Sequence, residues 1–302
     1  SSSAASDVYK RQKDNYENIE EVFTEMLKYS VDEAFKYCDE GYDETKNPEF
    51  LLYKGHAHLV SGEYEEAILS VDKAFELGCD YQVYGYNVKA EALLELGLYV
   101  ESRRYYERVI ELSPDNYIAT IFQVELDIRE EFYEDAISRA EAYIENYGNN
   151  KDEVADLKSA IAWTYMVDLN LPHEGFEYFK EAIELNENCS RAHTGIGIYY
   201  NHIKEYEKAI ESFIKAIECA PEDGENYFGL AVCYKEIGKF EEVEKNLIMA
   251  NALLPEDNRI LYEFAFELLR QEKKEEAIEM FKEILIYNPD DEEVAGLISS
   301  LN

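Results

Sequence analysis

The chain has 302 residues, of which 66 are aspartate or glutamate and 29 are lysine or arginine, so its formal net charge is −37. A charge of this size repels nucleic acid phosphates and anionic lipid headgroups, which argues against both as general partners. Hydrophobic residues make up 46% of the chain, enough for a core, and no apolar run reaches the roughly twenty residues needed to cross a bilayer. The composition favours a folded acidic protein without membrane insertion, and it leaves the oligomeric state open.

The N-terminal region divides into two parts. Residues 1–12 lack hydrophobic periodicity and start without methionine, so we interpret them as adaptor sequence or as a disordered tail. Residues 13–46 carry two apolar stripes at helical spacing, which predict a divergent helical hairpin or cap. The two stripes contain Ile19, Val22, Phe23 and Met26, then Val31, Ala34, Phe35 and Cys38.

One helical unit recurs seven times between positions 47 and 289. Each unit has one mostly small residue near the start of its second predicted helix. The spacing between neighbouring members of this set is the same in four of the six intervals, one position longer in the first and five positions longer in the third. A nearly fixed period of this kind indicates a helical repeat protein. The set is Ala67, Ser102, Ala136, Gly175, Ala209, Val243 and Ala277.

The unit resembles the tetratricopeptide repeat family, a helix–turn–helix of about 34 residues with the pattern W-x₂-L-G-x₂-Y…A-x₃-F…P. The match is clearest in the fifth unit, whose pattern residues are His193, Ile196, Gly197, Tyr200, Ala209, Phe213 and Pro221. The resemblance implies an all-α fold, an α-α superhelix or solenoid of about seven to eight helical hairpins with a C-terminal capping helix.

Two of the seven units depart from the pattern. The third has Asp127 and Ala140 at positions where aromatic residues are usual. The fourth starts its second helix five residues late, which suggests about four extra residues near 147–150 and one near 169–172. Residues 144–153 are therefore a candidate hinge, although an inert longer turn fits the sequence equally well.

Residues 290–302 are predicted to form the capping helix. Asp290 and Asp291 follow Pro289 and provide side chains suited to the start of a helix. The apolar residues behind them fall on one face and would cover the open edge of the last repeat. They are Val294, Leu297, Ile298 and Leu301.

No pattern in the chain indicates catalysis, a metal or a cofactor. The phosphate-binding, nucleophile-elbow and zinc-protease motifs are absent, and carboxylate pairs such as Glu65-Glu66 are typical of solvated helix faces. His56 and His58 are two residues apart, so on a helix they point in different directions. Five cysteines without a C-x-x-C pair suggest buried thiols in a reducing compartment, and we predict a cytoplasmic protein that is not an enzyme.

The resemblance also implies a binding surface, because in this family the first helix of each hairpin lines the concave face. Most residues at the corresponding places in this chain are apolar or aromatic, which favours a groove for a peptide or helix. Any single one of them could instead be an ordinary contact between repeats. The predicted groove residues are Leu52, His56, Tyr84, Asn87, Leu94, Ile121, Ile128, Trp163, Met166, Arg191, Ile198, Phe228, Lys235, Arg259, Tyr262 and Phe266.

These observations lead to a protein–protein interaction scaffold or adaptor as the first functional hypothesis. If acidic residues rim the groove, the partner would be a basic or amphipathic segment; if they lie on the outer face, they mainly provide solubility. A second hypothesis is the regulatory or recruiting portion of a larger enzyme or transcription regulator whose N-terminal domain is missing. A structural role through self-association of repeat edges is a third.

Overall fold

The computed structural model describes residues 18–301, and within this range all regular structure is helical. The predicted all-α fold is confirmed. The predicted tail, 1–12, and the first residues of the predicted N-terminal hairpin lie outside the described residues. The helices are α1 Ile19–Tyr29, α2 Val31–Thr45, α3 Glu49–Val60, α4 Tyr64–Glu76, α5 Gln82–Glu95, α6 Tyr99–Leu112, α7 Tyr117–Arg129, α8 Tyr133–Tyr147, α9 Lys151–Trp163, α10 Pro172–Leu185, α11 Ser190–His202, α12 Tyr206–Cys219, α13 Gly224–Glu236, α14 Phe240–Leu253, α15 Asn258–Arg270, α16 Lys274–Tyr287 and α17 Glu292–Leu301.

The turn inside each repeat hairpin has one residue with a positive φ angle, which ends the first helix in a left-handed conformation. In the fifth repeat this residue is Lys204, and the amide of Glu205 then donates to the carbonyl oxygen of Tyr200 at 2.8 Å. The equivalent residues recur at the repeat spacing along the chain, and three of the seven are glycine because glycine adopts positive φ without strain. The set is Gly62, Gly97, Glu131, Asn170, Lys204, Gly238 and Glu272.

Close contact between the two helices of a hairpin depends on the small residue of the second helix. Ala67, Ala209 and Ala277 are completely buried, and the hydroxyl of Ser102 donates to the carbonyl oxygen of Ala90 on the preceding helix at 2.7 Å. One turn further along, a buried aromatic side chain fills the space toward the next hairpin; Phe213 is the example in the fifth repeat.

The five extra residues of the fourth repeat are helical. Helix α9 begins at Lys151, one turn before the repeat register requires, and it continues into a π-helical turn over Thr164–Asp168. The amide of Leu169 donates to the carbonyl oxygen of Thr164, five residues back, which accommodates one additional residue. The extra residues thus extend the first helix at both ends and do not lengthen the turns that precede and follow it.

The helices form two compact units, divided between Tyr143 and Ile144. We call the described residues 18–143 the N-terminal unit and 144–301 the C-terminal unit. The division falls at the edge of the predicted hinge, 144–153, and motion there stays a prediction.

At each end of the described chain, additional helices pack against the terminal repeat. Helices α1 and α2 form a core with the start of α3, in which Phe23, Met26 and Phe50 are buried. At the other end, Val294 of α17 is buried against Phe281 and Ile284, and the carboxylate of Asp291 accepts the amide of Val294 at 3.0 Å. The C-terminal helix therefore caps the last hairpin.

Candidate functional site

The predicted groove residues differ widely in exposure. Most are half-buried or exposed on the first helix of their hairpin, as a binding surface requires. Two corrections are necessary. Leu52 is 0% exposed within the core around Val71 and Ala74, and Met166 is only 8% exposed because the π-helical turn directs it toward Phe179. Both side chains contribute to packing and are removed from the candidate surface.

In the N-terminal unit, the candidate surface centres on α3 and α5. The imidazole Nδ1 of His56 is hydrogen-bonded to the hydroxyl of Tyr84, and burial lowers the pKa of His56. The side-chain oxygen of Asn87 is buried and has no hydrogen-bond partner among the described residues. The remaining candidates of this unit are half-buried: Leu94, Ile121 and Ile128.

The C-terminal unit has a pocket of about 550 Å³ on the surface formed by its first helices. Four of its lining residues were predicted from sequence, namely Trp163, Arg191, Ile198 and Arg259. They come from three different hairpins, so the fold brings together residues that are far apart along the chain. The other lining residues are Ser190, Thr194, Ala220, Asp223 and Glu225.

The apolar side of the pocket is held in place by packing behind it. The indole of Trp163 lies edge-to-face on Phe179, with ring centroids 5.4 Å apart, and Phe179 is fully buried. Ile198, which also belongs to the lining, is 38% exposed although it lies in the middle of α11. The pocket therefore offers one aromatic and one aliphatic wall that are fixed before a ligand arrives.

The hydroxyl groups of the pocket are already satisfied. Thr194 donates to the side-chain oxygen of Asn226 at 2.7 Å, and Ser190 donates to the carbonyl oxygen of Ala216 at 3.1 Å. Asn226 is completely buried, so Thr194 is fixed in one orientation. These contacts tie α11 to α12 and α13, and they give the pocket a stable floor.

The charged rim of the pocket is a network rather than a set of free cations. Arg259 donates to Asp257 and to Glu225, and its hydrogen bonds lower the pKa of Asp257. Its guanidinium group also lies 5.5 Å from the ring centre of Phe228. Further along α13, Lys235 forms an ion pair with Glu263 at 2.6 Å. The basic candidates Arg259 and Lys235 are therefore matched by acidic neighbours.

Three lining residues at the starts of helices α11 and α13 were not predicted from the sequence. Ser190 is the first residue of α11, and Asp223 and Glu225 flank the first residue of α13. Asp223 caps α13, since its carboxylate accepts the amide of Glu225 at 3.1 Å. An aspartate directly before a predicted helix is the signal that could have placed it there.

Comparison with known sequences identifies the repeat. Two family models, both described as tetratricopeptide repeat, match residues 52–117, 167–224 and 212–245. The chain belongs to the tetratricopeptide repeat family. The curated proteins contain no match to the sequence.

Three solved structures show how widely this tetratricopeptide repeat architecture is shared. A chain of the APC/C hetero-tetramer Cut9-Hcn1 has a TM-score of 0.65 at 14% identity, over 90% of this chain and 52% of that chain. The present chain thus spans about half the length of that protein. A tetratricopeptide repeat protein from Parabacteroides merdae ATCC 43184 has a TM-score of 0.59 at 17% identity, over 85% and 99%. PilF of Pseudomonas aeruginosa has a TM-score of 0.58 at 15% identity, over 74% and 96%.

Tetratricopeptide repeat proteins typically serve as non-catalytic scaffolds, and the fold supports a general role in protein interaction. Within residues 18–301, no group of three or more histidine, cysteine or acidic side chains is arranged to hold a metal ion. None of the described helices is both long and apolar enough to span a membrane.

The last hairpin presents two further aromatic candidates, separate from the pocket lining. Phe266 is 46% exposed on α15, and its ring stacks with Tyr262 at a centroid distance of 6.4 Å. Both rings meet Phe281 edge-to-face, so they are supported from below. This pair, one ring exposed and the other half-buried, is a suitable second contact for an apolar ligand.

Proposed function

We propose that the chain is a protein-interaction scaffold whose first helices bind a peptide or short helix of a partner protein. The observation that carries the proposal is the pocket of the C-terminal unit, where side chains from four successive hairpins surround about 550 Å³. A concave, mostly apolar site with a few oriented polar groups is the usual form of a ligand pocket.

The pocket is suited to a single large apolar side chain. Trp163 and Ile198 provide the apolar walls, and the hydroxyl of Thr194 is occupied by Asn226, so it does not require a polar ligand atom. Interfaces commonly depend on one or two side chains that fill such a pocket. We therefore expect the partner to insert a leucine, methionine or aromatic residue here.

The partner segment is proposed to be basic or amphipathic. The chain carries a net charge of −37, which speeds the approach of positively charged segments. At the pocket, Arg259 donates to the carboxylate of Glu225, and Asp223 is a second acidic residue of the lining. A basic residue next to the apolar anchor would contact these carboxylates. Rim contacts of this kind mainly increase the association rate.

Two further observations support the proposal, one on partner proteins and one on the cellular compartment. The structure with the TM-score of 0.65 is a hetero-tetramer, Cut9-Hcn1, so this architecture is found in an assembly of two kinds of protein. All five cysteines are unpaired, which favours a reducing compartment such as the cytoplasm.

The experiment uses a matched pair of isoleucines. A peptide is first selected from a random-peptide phage library with the purified chain, and its affinity is then measured calorimetrically. Ile198→Lys places a charge in the pocket and should weaken binding at least about tenfold, because a desolvated charge has no partner there. Ile214 is 39% exposed on α12, almost the same as Ile198, and Ile214→Lys should leave the affinity unchanged.

The pair separates a pocket effect from a general effect of adding a charge. If both lysine variants bind the selected peptide as tightly as wild type, the pocket is not the binding site. Equal weakening by both variants would likewise contradict the proposal, because Ile214 is not part of the lining.

A further inference from the structure

The N-terminal unit contains a second, chemically different pocket of about 340 Å³. Helix α6 contributes most of its lining and α5 the remainder. No residue of the predicted groove is among them. The lining residues are Tyr86, Glu101, Arg104, Tyr105 and Arg108.

Two guanidinium groups face the pocket from one side of α6. Arg104 and Arg108 are four residues apart and therefore project from the same helix face. Arg104 is exposed and makes no hydrogen bond or ion pair with any described residue, whereas Arg108 donates to the exposed Glu111 at 2.5 Å. One cation is thus free, and the other is held by a surface ion pair, which is a weak interaction.

Two tyrosine rings complete the walls. The ring centroids of Tyr86 and Tyr105 are 5.6 Å apart, and Tyr86 is supported from behind by Phe75 at 5.4 Å. The ammonium group of Lys89 lies 4.5 Å from the ring centre of Tyr105 and pairs with Asp72 at 2.6 Å. These contacts hold the rings in place, and their phenol groups add to the hydrogen-bond donors around the pocket.

The donor set matches a phosphoryl group better than a carboxylate. Paired guanidinium groups bind phosphoryl oxygens through parallel hydrogen bonds. Arg108 already pairs with the carboxylate of Glu111. A ligand carboxylate would therefore only exchange with Glu111 and would add no new ion pair. A phosphate ester carries about −1.5 to −2 charges at neutral pH and has three acceptor oxygens, so it can hold Arg104 and Arg108 together.

The rings and Glu101 select the class of phosphate. Glu101 is the one acidic residue of the lining, and it opposes the binding of a small free anion that gains only ionic contacts. A ligand that also packs an aromatic ring against the exposed parts of the tyrosine rings recovers this cost. We propose that this pocket binds a phosphorylated tyrosine side chain of a partner protein. The inference is independent of the pocket in the C-terminal unit, because the two share no residue.

The test follows the ligand directly by ³¹P nuclear magnetic resonance. N-acetyl-phosphotyrosine amide is titrated with the full chain, and line broadening gives the dissociation constant. Arg104→Gln removes the free guanidinium and should weaken binding about tenfold or more. Arg129→Gln is the control: it also removes an exposed arginine beside a tyrosine, because Arg129 contacts Tyr99, but that pair lies outside the pocket lining. The control should bind like wild type.

Two further probes define the ligand class. Inorganic phosphate and N-acetyl-phosphoserine amide should each bind at least about tenfold more weakly than the phosphotyrosine compound, because they lack the ring. Circular dichroism should show unchanged helicity in both arginine variants. Absence of broadening with wild type, equal affinity in Arg104→Gln, or equal binding of inorganic phosphate would each overturn the proposal; the last outcome would reduce the pocket to a general anion site.

Discussion

Asp127 and Arg103 form a buried ion pair between neighbouring hairpins, with the Arg103 guanidinium donating to the Asp127 carboxylate at 2.6 Å. The other carboxylate oxygen accepts a hydrogen bond from Arg139 of α8 at 2.8 Å. Asp127 is 2% exposed and takes the place where the repeat pattern has an aromatic residue. A charged network therefore replaces apolar packing in the third repeat.

Removing this carboxylate should destabilise the N-terminal unit strongly. Asp127→Ala leaves the partly buried Arg103 and Arg139 without their shared partner, and breaking a buried ion pair from one side costs about 3–5 kcal/mol. We expect a loss of about 3 kcal/mol in urea unfolding monitored by circular dichroism. Glu130→Gln is the comparison, because Glu130 pairs with the same Arg103 but is one-third exposed; its expected loss is below about 1 kcal/mol. Similar losses in the two variants would show that the burial of Asp127 contributes little.

A second stability prediction concerns helix contact in the fifth repeat. A methyl group added to Gly195 would overlap ring atoms of Phe179, which is completely buried and cannot move aside. Gly195→Ala should therefore cost about 1–3 kcal/mol through overpacking. Gly296 in α17 has no atom within 4 Å of the same position, so Gly296→Ala should stabilise the helix by up to about 1 kcal/mol. Thermal unfolding of the two variants should shift in opposite directions, and a shared direction would contradict the packing argument.

The repeat period was enough to predict the helices, because each small residue and each turn recurs at a fixed distance. The period could not define the conformation of the extra residues in the fourth repeat. A longer turn and a longer helix use the same number of residues, and only the burial of Val154 and the π-helical turn at Thr164–Asp168 decides between them. Similarly, Asp127 marked a degenerate repeat, but its partners Arg103 and Arg139 lie on other helices, one earlier and one later in the chain.

The candidate site was partly accessible to the same reasoning. Trp163 and Ile198 were chosen from their positions in the first helix of the repeat. Both follow the repeat register, and both line the pocket. This reasoning failed for Met166, since the additional residue of the π-helical turn changes which side chains face the core: Met166 is 8% exposed, whereas the next residue, Val167, is 61% exposed. It also failed for Leu52, whose side chain packs beneath Gly85 of the next hairpin, a contact that one sequence does not reveal.

His56 makes the stability of the N-terminal unit depend on pH. Burial lowers the pKa of His56 below its ordinary value of 6.5 in the folded state, so below that pH the unfolded chain binds more protons. Stability from this residue is therefore present above pH 6.5 and is lost as the pH falls below it, by at most about 1.4 kcal/mol per pH unit. Urea unfolding at pH 7.5 and 5.5 should show the stability advantage of wild type over His56→Asn shrinking at the lower pH. A difference that is equal at both pH values would contradict the assignment.

Trp163 provides an internal reporter for the proposed peptide site. It is the only tryptophan in the chain, and it lines the pocket of the C-terminal unit with its ring half-buried. A peptide that fills the pocket should cover the exposed part of the indole, move its fluorescence emission to shorter wavelength and reduce quenching by acrylamide. The same peptide with its apolar anchor replaced by alanine should lose both effects, because the basic residues alone bind at the rim. A peptide that binds calorimetrically yet leaves the emission and quenching of Trp163 unchanged would have to occupy another surface, and the anchor model would then be wrong.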